Sequence, residues 1–278
     1  VRPAEWARDG AAVWEIAVPS RRPRLPGTRM AGFAGETTDV VDLPVVPHPA
    51  VTLFVDLGDA LLIDDARGVR ERGGVVAGLA PRGVRGSGQD IECLQVRLAP
   101  DVAHAVLGTT LSGSVLALGD VWPSHLPDQL RDLASWDDRF ALVEAALAER
   151  YEAGRSVDPE VAFAWRRLVE RRGQVRIERL ADEIGWSRKR LWARFSRQIG
   201  LGPKRAAQLV RFDHAVHRLV AGESPASVAA GSGYVDQAHL HHEVKEFAGL
   251  TPAAVAGAQW LAVDDVAWAR PSRPSIAG

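Results

Sequence analysis

The chain contains one cysteine, Cys93, among 278 residues. A single thiol excludes an intramolecular disulfide framework and any cysteine-cluster zinc site, and it fits a reducing compartment. Long apolar runs are missing too: no stretch approaches the roughly 20 residues that a membrane helix needs. Residues 1–10 lack the apolar stretch of a secretory signal, so a soluble, cytoplasmic protein without a membrane partner is the expectation. Charge of one sign is also lacking. Lys and Arg total 34 against 35 Asp and Glu, a formal net charge of -1, although so balanced an average can hide a local patch. With 46% hydrophobic residues the composition is that of a globular chain, not a disordered one.

What is present falls into two unlike parts, as a prior of about 150 residues per domain suggests. In the first hundred residues, short apolar or alternating runs at 13–18, 51–55, 61–63, 75–76 and 91–98 are separated by Pro23, Pro26-Gly27, Pro44, Pro47, Pro49 and Gly73-Gly74. Such punctuation predicts a β-sandwich or small β-barrel. A barrel of this kind has a mouth for one ligand. A metal-dependent cupin-type enzyme would need several His and a carboxylate converging inside it. His48 is the sole histidine of this region, so it reads as a loop residue, with no metal and no cofactor expected. Ile91, Cys93 and Gln95 share one face of an alternating strand, where Cys93 reads as a buried structural thiol.

From Pro100 the pattern becomes helical. A short helix over 101–107 has Asp101 near its start and Gly108 to end it. A second runs over about 137–151, with Phe140, Val143, Ala146 and Leu147 at spacings of three and four. Its apolar face is either an oligomer contact or packed on its own domain. Residues 154–159 then read as a linker.

Beyond the linker one pattern occurs twice. Leu180-Ala181 precedes Gly185-Trp186, and Val228-Ala229 precedes Gly233-Tyr234. Each unit is followed by a helix with an i,i+4 apolar pair, Leu191 with Phe195 and Leu240 with Val244. This is helix-turn-helix logic: the small residue allows close approach, the glycine permits the turn, and the pair seats the second helix. A joining helix over about 203–221 begins at Pro203, a residue favoured at helix starts, and carries Leu209, Phe212, Val216, Leu219 and Val220 on one face.

Residues from about 165 to 257 resemble the DNA-binding domain of the AraC/XylS family of transcription regulators. The resemblance is carried by Leu180-Ala181, Gly185-Trp186-Ser187, Leu191, Phe195, Gly200 and Pro203, and by Arg211, Ala215 and Leu219 of the joining helix. Gly233-Tyr234, Asp236 to Leu240 and Gly249-Leu250-Thr251-Pro252 complete it. Ala207 and Val244 depart from the aromatic residues the family carries there; both are packing positions. The front half resembles the sensor half of actinobacterial members in Gln95 to Pro100, Gly108, Trp136 and Arg139 to Leu142. The resemblance implies an α+β chain: a β-rich barrel or sandwich, cupin-like, with a helical extension, then an all-α double helix-turn-helix domain. The divisions expected are 1–100 for the sensor, 101–155 for the helical extension and linker, 156–260 for DNA binding and 261–278 for a tail.

It also implies a sequence-specific regulator rather than an enzyme, with double-stranded DNA as partner, a homodimer as assembly, a small-molecule effector and RNA polymerase as further partners. The base-reading positions fall on Lys189, Trp192 and Ala193 in the first unit. They fall on Gln237, Ala238, His241 and His242 in the second. Lys can donate to guanine, Gln can bond adenine bidentately, and Trp or Ala can meet a thymine methyl. Arg188, Arg190, Arg194 and Arg197 are placed for phosphates. A metal at His239, His241 and His242 would lack the i,i+4 spacing of helical His pairs, and Trp186 and Tyr234 read as packing residues. The rival reading, an alkyl-transfer repair enzyme, needs an activated acceptor cysteine and a four-cysteine zinc site, neither of which Cys93 alone supplies.

Overall fold

The computed structural model describes residues 4–9, 12–37, 39–58, 60–64, 68, 70–80, 84–113, 115–122, 125–257 and 267–268. The expected tail at 261–278 therefore lies outside the described residues except for Ala267 and Trp268. The front strands are β1 (Ala4–Asp9), β2 (Ala12–Ala17), β3 (Thr28–Thr37), β4 (Val41–Pro44), β5 (Val51–Asp56) and β6 (Leu62–Asp64). They continue with β7 (Arg70–Arg72), β8 (Gly74–Ala77), β9 (Arg85–Gly88), β10 (Glu92–Leu98) and β11 (Val115–Ala117). One sheet has seven strands in the order β1-β2-β3-β10-β5-β8-β11, and a second has four in the order β4-β9-β6-β7. Neither closes on itself among the described residues, so of the two expected architectures the sandwich holds.

Alternation along β10 divides the front core. Leu94, Val96 and Leu98 face helices and are essentially unexposed, while Cys93 faces inward with Phe33, Phe54 and Ile63 between the sheets. Burial pushes the Cys93 thiol up to about 12, far from the lowered value a reactive cysteine needs. β3 has little apolar pattern, and its glycines explain why. A side chain at Gly32 would stand 2.3 Å from the Trp136 ring, and one at Gly35 would stand 2.8 Å from Trp14. Both are sites where a neighbour comes too close for a Cβ.

The helices of the front half are α1 (Pro100–Leu107), α2 (Leu118–Val121), α3 (Leu126–Arg131) and α4 (Trp136–Ala153). Gly108 caps α1 in the left-handed conformation, at φ 66°, as its place in the sequence predicts. Phe140, Val143 and Leu147 of α4 are buried in the chain's own core, which decides between the two readings of that face. Buried Arg139 anchors the helix, pairing with Glu92 of β10 and donating to the carbonyls of Leu130 and Leu133.

The rear helices are α5 (Pro159–Glu170), α6 (Ile177–Glu183), α7 (Arg188–Ile199), α8 (Pro203–Val220), α9 (Pro225–Gly231), α10 (Gln237–Ala248) and α11 (Pro252–Ala256). The linker is short and docked. Val157 is buried, Asp158 N–H donates to Gln198 Oε1 at 2.8 Å, and a Cβ at Gly154 would clash with the Ala105 carbonyl at 2.1 Å. Front and rear halves meet again where Thr110 Oγ1 donates to the Arg197 carbonyl at 2.8 Å.

Candidate nucleic-acid interface

Two helix–turn–helix units are built from the same local parts. In the first, Gly185 turns the chain at φ 68° between α6 and α7; in the second, Gly233 does so at φ 77° between α9 and α10. That region is costly for any residue with a Cβ. Trp186 N–H then donates to the Ala181 carbonyl at 3.0 Å, and Tyr234 N–H to that of Ala229 at 3.2 Å. Ser187 Oγ caps α7 by accepting from Arg190 N–H at 3.2 Å, and Asp236 Oδ1 caps α10 by accepting from His239 N–H at 2.7 Å. Trp186 and Tyr234 are both buried, so they pack and do not stack on bases.

Helical spacing sorts the remaining side chains. Leu191, Phe195 and Ile199 of α7 are buried, as are Leu240, Val244 and Phe247 of α10. Ala207 is buried as well, so both departures from the family pattern sit at packing positions. On the opposite faces, Lys189, Trp192 and Ala193 are exposed on α7, and Gln237, Ala238, His241 and His242 on α10. Trp192 is 63% exposed, an unusual state for an indole and one that leaves its apolar face to meet a partner. His239 differs from its neighbours. Its ring lies edge-on to Tyr234 at 5.3 Å, and its Nδ1 is 3.4 Å from the Val235 amide nitrogen.

The four arginines expected at phosphates stand in four settings. Arg197 is exposed. Arg188 has a surface pairing with Glu178 at 3.3 Å, and Arg190 lies over the Trp186 ring at 4.4 Å. An exposed pair of this kind is weak and screened by salt. Arg194 pairs with Asp158 of the linker at 3.0 Å.

Three further arginines of the basic run between 187 and 219 are engaged inside the domain. Arg205 pairs with Glu246 at 2.8 Å, Arg218 with Glu223 at 2.7 Å, and Arg211 with Glu243. These acids follow the run in sequence, so the excess of positive charge between 187 and 219 is partly neutralised inside the domain.

Arg211, Glu243 and Tyr234 form the main constellation that sequence reasoning misses. Glu243 is 2% exposed. It accepts from Arg211 Nε at 3.1 Å and from Tyr234 OH at 2.8 Å. Burial opposes the Arg211 charge, yet Glu243 outweighs it and raises the guanidinium pKa. Burial and then the Glu243 charge push the Tyr234 hydroxyl up. The network fixes α10 against α8 and its own turn, which sets the angle at which Gln237 and His241 are presented.

Where the front half touches α7, His104 Nδ1 lies 3.2 Å from Thr110 Oγ1. Burial, then the Arg197 charge, hold the His104 pKa below 6.5; burial and the charges of Arg172 and Arg218 do the same for His214. With a folded pKa below the unfolded one, the unfolded chain binds the extra proton. Stability is then lost as pH falls below about 6.5, until the folded histidine also protonates. Melting scans from pH 7 to 5 should show a falling Tm, and His104→Gln with His214→Gln should flatten that slope. Equal slopes in the double variant and wild type would exclude these histidines as its source.

The two helix–turn–helix units, with exposed faces on α7 and α10 and arginines around them, are those of a DNA-binding transcription regulator. Residues 180–257 match the family profile described as a helix-turn-helix domain, and this domain of the chain is of the AraC type. Among solved structures, ToxT from Vibrio cholerae O395 is 11% identical, with 84% of this chain and 98% of that one covered and a TM-score of 0.48. A 1.65 Å structure of ToxT from Vibrio cholerae is 12% identical over 83% and 98%, with a TM-score of 0.49. The C-terminal domain of AraT, a response regulator from Geobacillus stearothermophilus, is 17% identical over 36% and 86%, at 0.35. A search of curated proteins finds no match. Among the described residues, no helix is long and apolar enough to cross a membrane.

Proposed function

We propose that this regulator reads its operator through Lys189, Trp192 and Ala193 in one major-groove segment and through Gln237, Ala238, His241 and His242 in the next. Arg188, Arg190, Arg194 and Arg197 hold the phosphates beside them. The observation that carries this reading is that all seven reading side chains are exposed on helices whose other faces are buried. Successive major-groove segments on one side of DNA lie about 34 Å apart, and the 18-residue helix α8 joins the two units. The division at 100, 155 and 260 belongs to the same proposal. So does a front domain that senses a small-molecule effector and signals through the contact of Thr110 with the end of α7.

The reading extends to a cytoplasmic homodimer, since paired readers suit symmetric or tandem operators, to RNA polymerase as a downstream partner, and to the absence of catalysis. The buried, raised thiol of Cys93 does not favour the alkyl-transfer alternative.

Selection of binding sequences from a random DNA pool by the full-length protein tests the proposal. Lys189→Ala or Gln237→Ala should relax base preference locally and cost about 1–3 kcal/mol on the selected site. Arg197→Ala should instead weaken all sequences alike and reduce the salt slope by about one. Unchanged base preference in both of the first two variants would remove the assignment of reading residues. A pool with no enriched sequence would remove the regulator reading.

A further inference from the structure

The joining helix α8 begins without a side-chain cap. Ser187, Ser224, Asp236 and Thr251 cap α7, α9, α10 and α11 by accepting from a backbone N–H of the first turn. At the start of α8 stands Gly202, which has no side chain to do so. Backbone geometry does not call for glycine there. Its φ of -64° and ψ of 150° are extended values open to any residue. Ser, Asp or Asn would cap the helix better. What glycine provides at this position is space.

Trp192 uses that space. A Cβ at Gly202 would stand 3.0 Å from Trp192 Nε1 and 3.5 Å from its Cδ1. The first distance is closer than non-bonded heavy atoms settle, at about 3.5–4.0 Å. Ser196 Oγ, one turn further along α7, would lie 3.7 Å from the same Cβ. That oxygen is shut off from solvent and has no hydrogen-bond partner among the described residues. The five-membered ring of the indole, with its N–H, is therefore turned to the junction of α7 and α8. Trp192 is nevertheless 63% exposed, so the surface it offers is chiefly its six-membered ring, an apolar edge without a donor. In the major groove such an edge complements the thymine methyl, whereas an indole N–H would suit the acceptors of guanine, adenine or thymine.

We infer that Gly202 sets base specificity from outside the contact: it seats the Trp192 indole so that the six-membered ring reads a thymine methyl. A side chain at 202 pushes the ring off that seat and carries its reading edge away from the base. Gly202 is thus a positioning residue that acts through Trp192. This inference rests on the reading of Trp192 as a base-contacting residue.

The test uses the full-length protein and the sequence it enriches from the random pool, with each thymine replaced in turn by deoxyuridine, which lacks the methyl. Wild type should lose affinity about fourfold at one thymine in the first unit's segment, the worth of one buried methyl group. Trp192→Ala should abolish that dependence. Gly202→Thr should cut it to less than about twofold, with Gly202→Ala in between. Thr and Gly rank alike as caps, so the urea midpoint of Gly202→Thr should stay near that of wild type. Gly202→Ser, a favoured cap that also brings a Cβ, serves if the threonine variant does not fold. Trp192→Ala combined with Gly202→Thr should match Trp192→Ala alone, because Gly202 acts only through the ring. Methyl dependence unchanged in Gly202→Thr, or a double variant worse than Trp192→Ala at that base pair, would overturn the seat. Methyl dependence that survives Trp192→Ala, uniform weakening of all sequences by that variant, or an enriched segment without thymine would overturn the methyl reading. Lys189 and Gln237 would then still be judged by their own variants. A pool with no enriched sequence would remove the base-reading proposal itself, and this inference with it.

Discussion

Glu243→Ala should destabilise the rear domain by about 3–5 kcal/mol, the range for removing one partner of a buried ion pair. The carboxylate is almost wholly buried and bonds both Arg211 and Tyr234. Its loss leaves a half-buried guanidinium facing Tyr234 without its counter-charge, and a buried hydroxyl without its acceptor. Glu243→Gln keeps an acceptor for Tyr234 and should cost less. Arg211→Met with Glu243→Leu removes both charges together and should recover most of the loss, since a buried pair is often no more stabilising than apolar residues of like volume. Urea titration of the full-length protein gives these values. A Glu243→Ala variant within 1 kcal/mol of wild type would show that the network does not hold α10.

Phe195→Ala is expected to be comparably severe, at about 3–5 kcal/mol. Phe195 is fully buried beneath α7. Truncating it removes most of an aromatic side chain from water-excluded packing and leaves a cavity that the surrounding helices fill only in part. Against a domain stability of about 5–15 kcal/mol, such a loss is a large fraction of the total and should weaken binding to every DNA sequence alike. Trp192→Ala, three residues away on the exposed face, should leave the urea midpoint nearly unchanged and affect DNA binding alone. The contrast separates support from contact within a single helix. A Phe195→Ala protein that kept its midpoint and its operator affinity would contradict the buried placement of this face.

The two helix–turn–helix units were legible in the sequence because their signals are local. Gly185 and Gly233 mark the turns, Ser187 and Asp236 the caps, and i,i+4 pairs the buried faces, so α8 ends within a residue of its expected bound and α7 and α10 follow the two turns as the pattern predicts. β3 was not legible. Its small residues are shaped by Trp14 and Trp136, partners that no window around the strand reveals. β9, with the sequence Arg85-Gly86-Ser87-Gly88, has no apolar alternation at all. α5 was hidden for a different reason: Pro159 resembles the end of a linker, yet it occupies the helix start that suits its missing N–H. The exposed positions of α7 and α10 follow from helix geometry once one face is known. The Arg211–Glu243–Tyr234 network does not, because its members lie on separate elements and pair only after α8 and α10 have packed. The same holds for Trp268, whose ring meets Phe33 of β3 and Arg97 of β10, far away in sequence.

The join between the halves has a consequence for modularity. A Cβ on Gly200, at the end of α7, would stand 3.0 Å from the Leu111 carbonyl and from the Thr110 methyl. Leu111 itself is buried in the core cluster that also holds Ile199. The loop after α1 is thus a mould cast around the end of α7. A rear domain grafted onto a foreign sensor would arrive without that mould and leave Ile199 poorly covered. A functional chimera would need to carry residues 108–113 along with its DNA-binding half, and this short loop sets where recombination between such regulators can succeed.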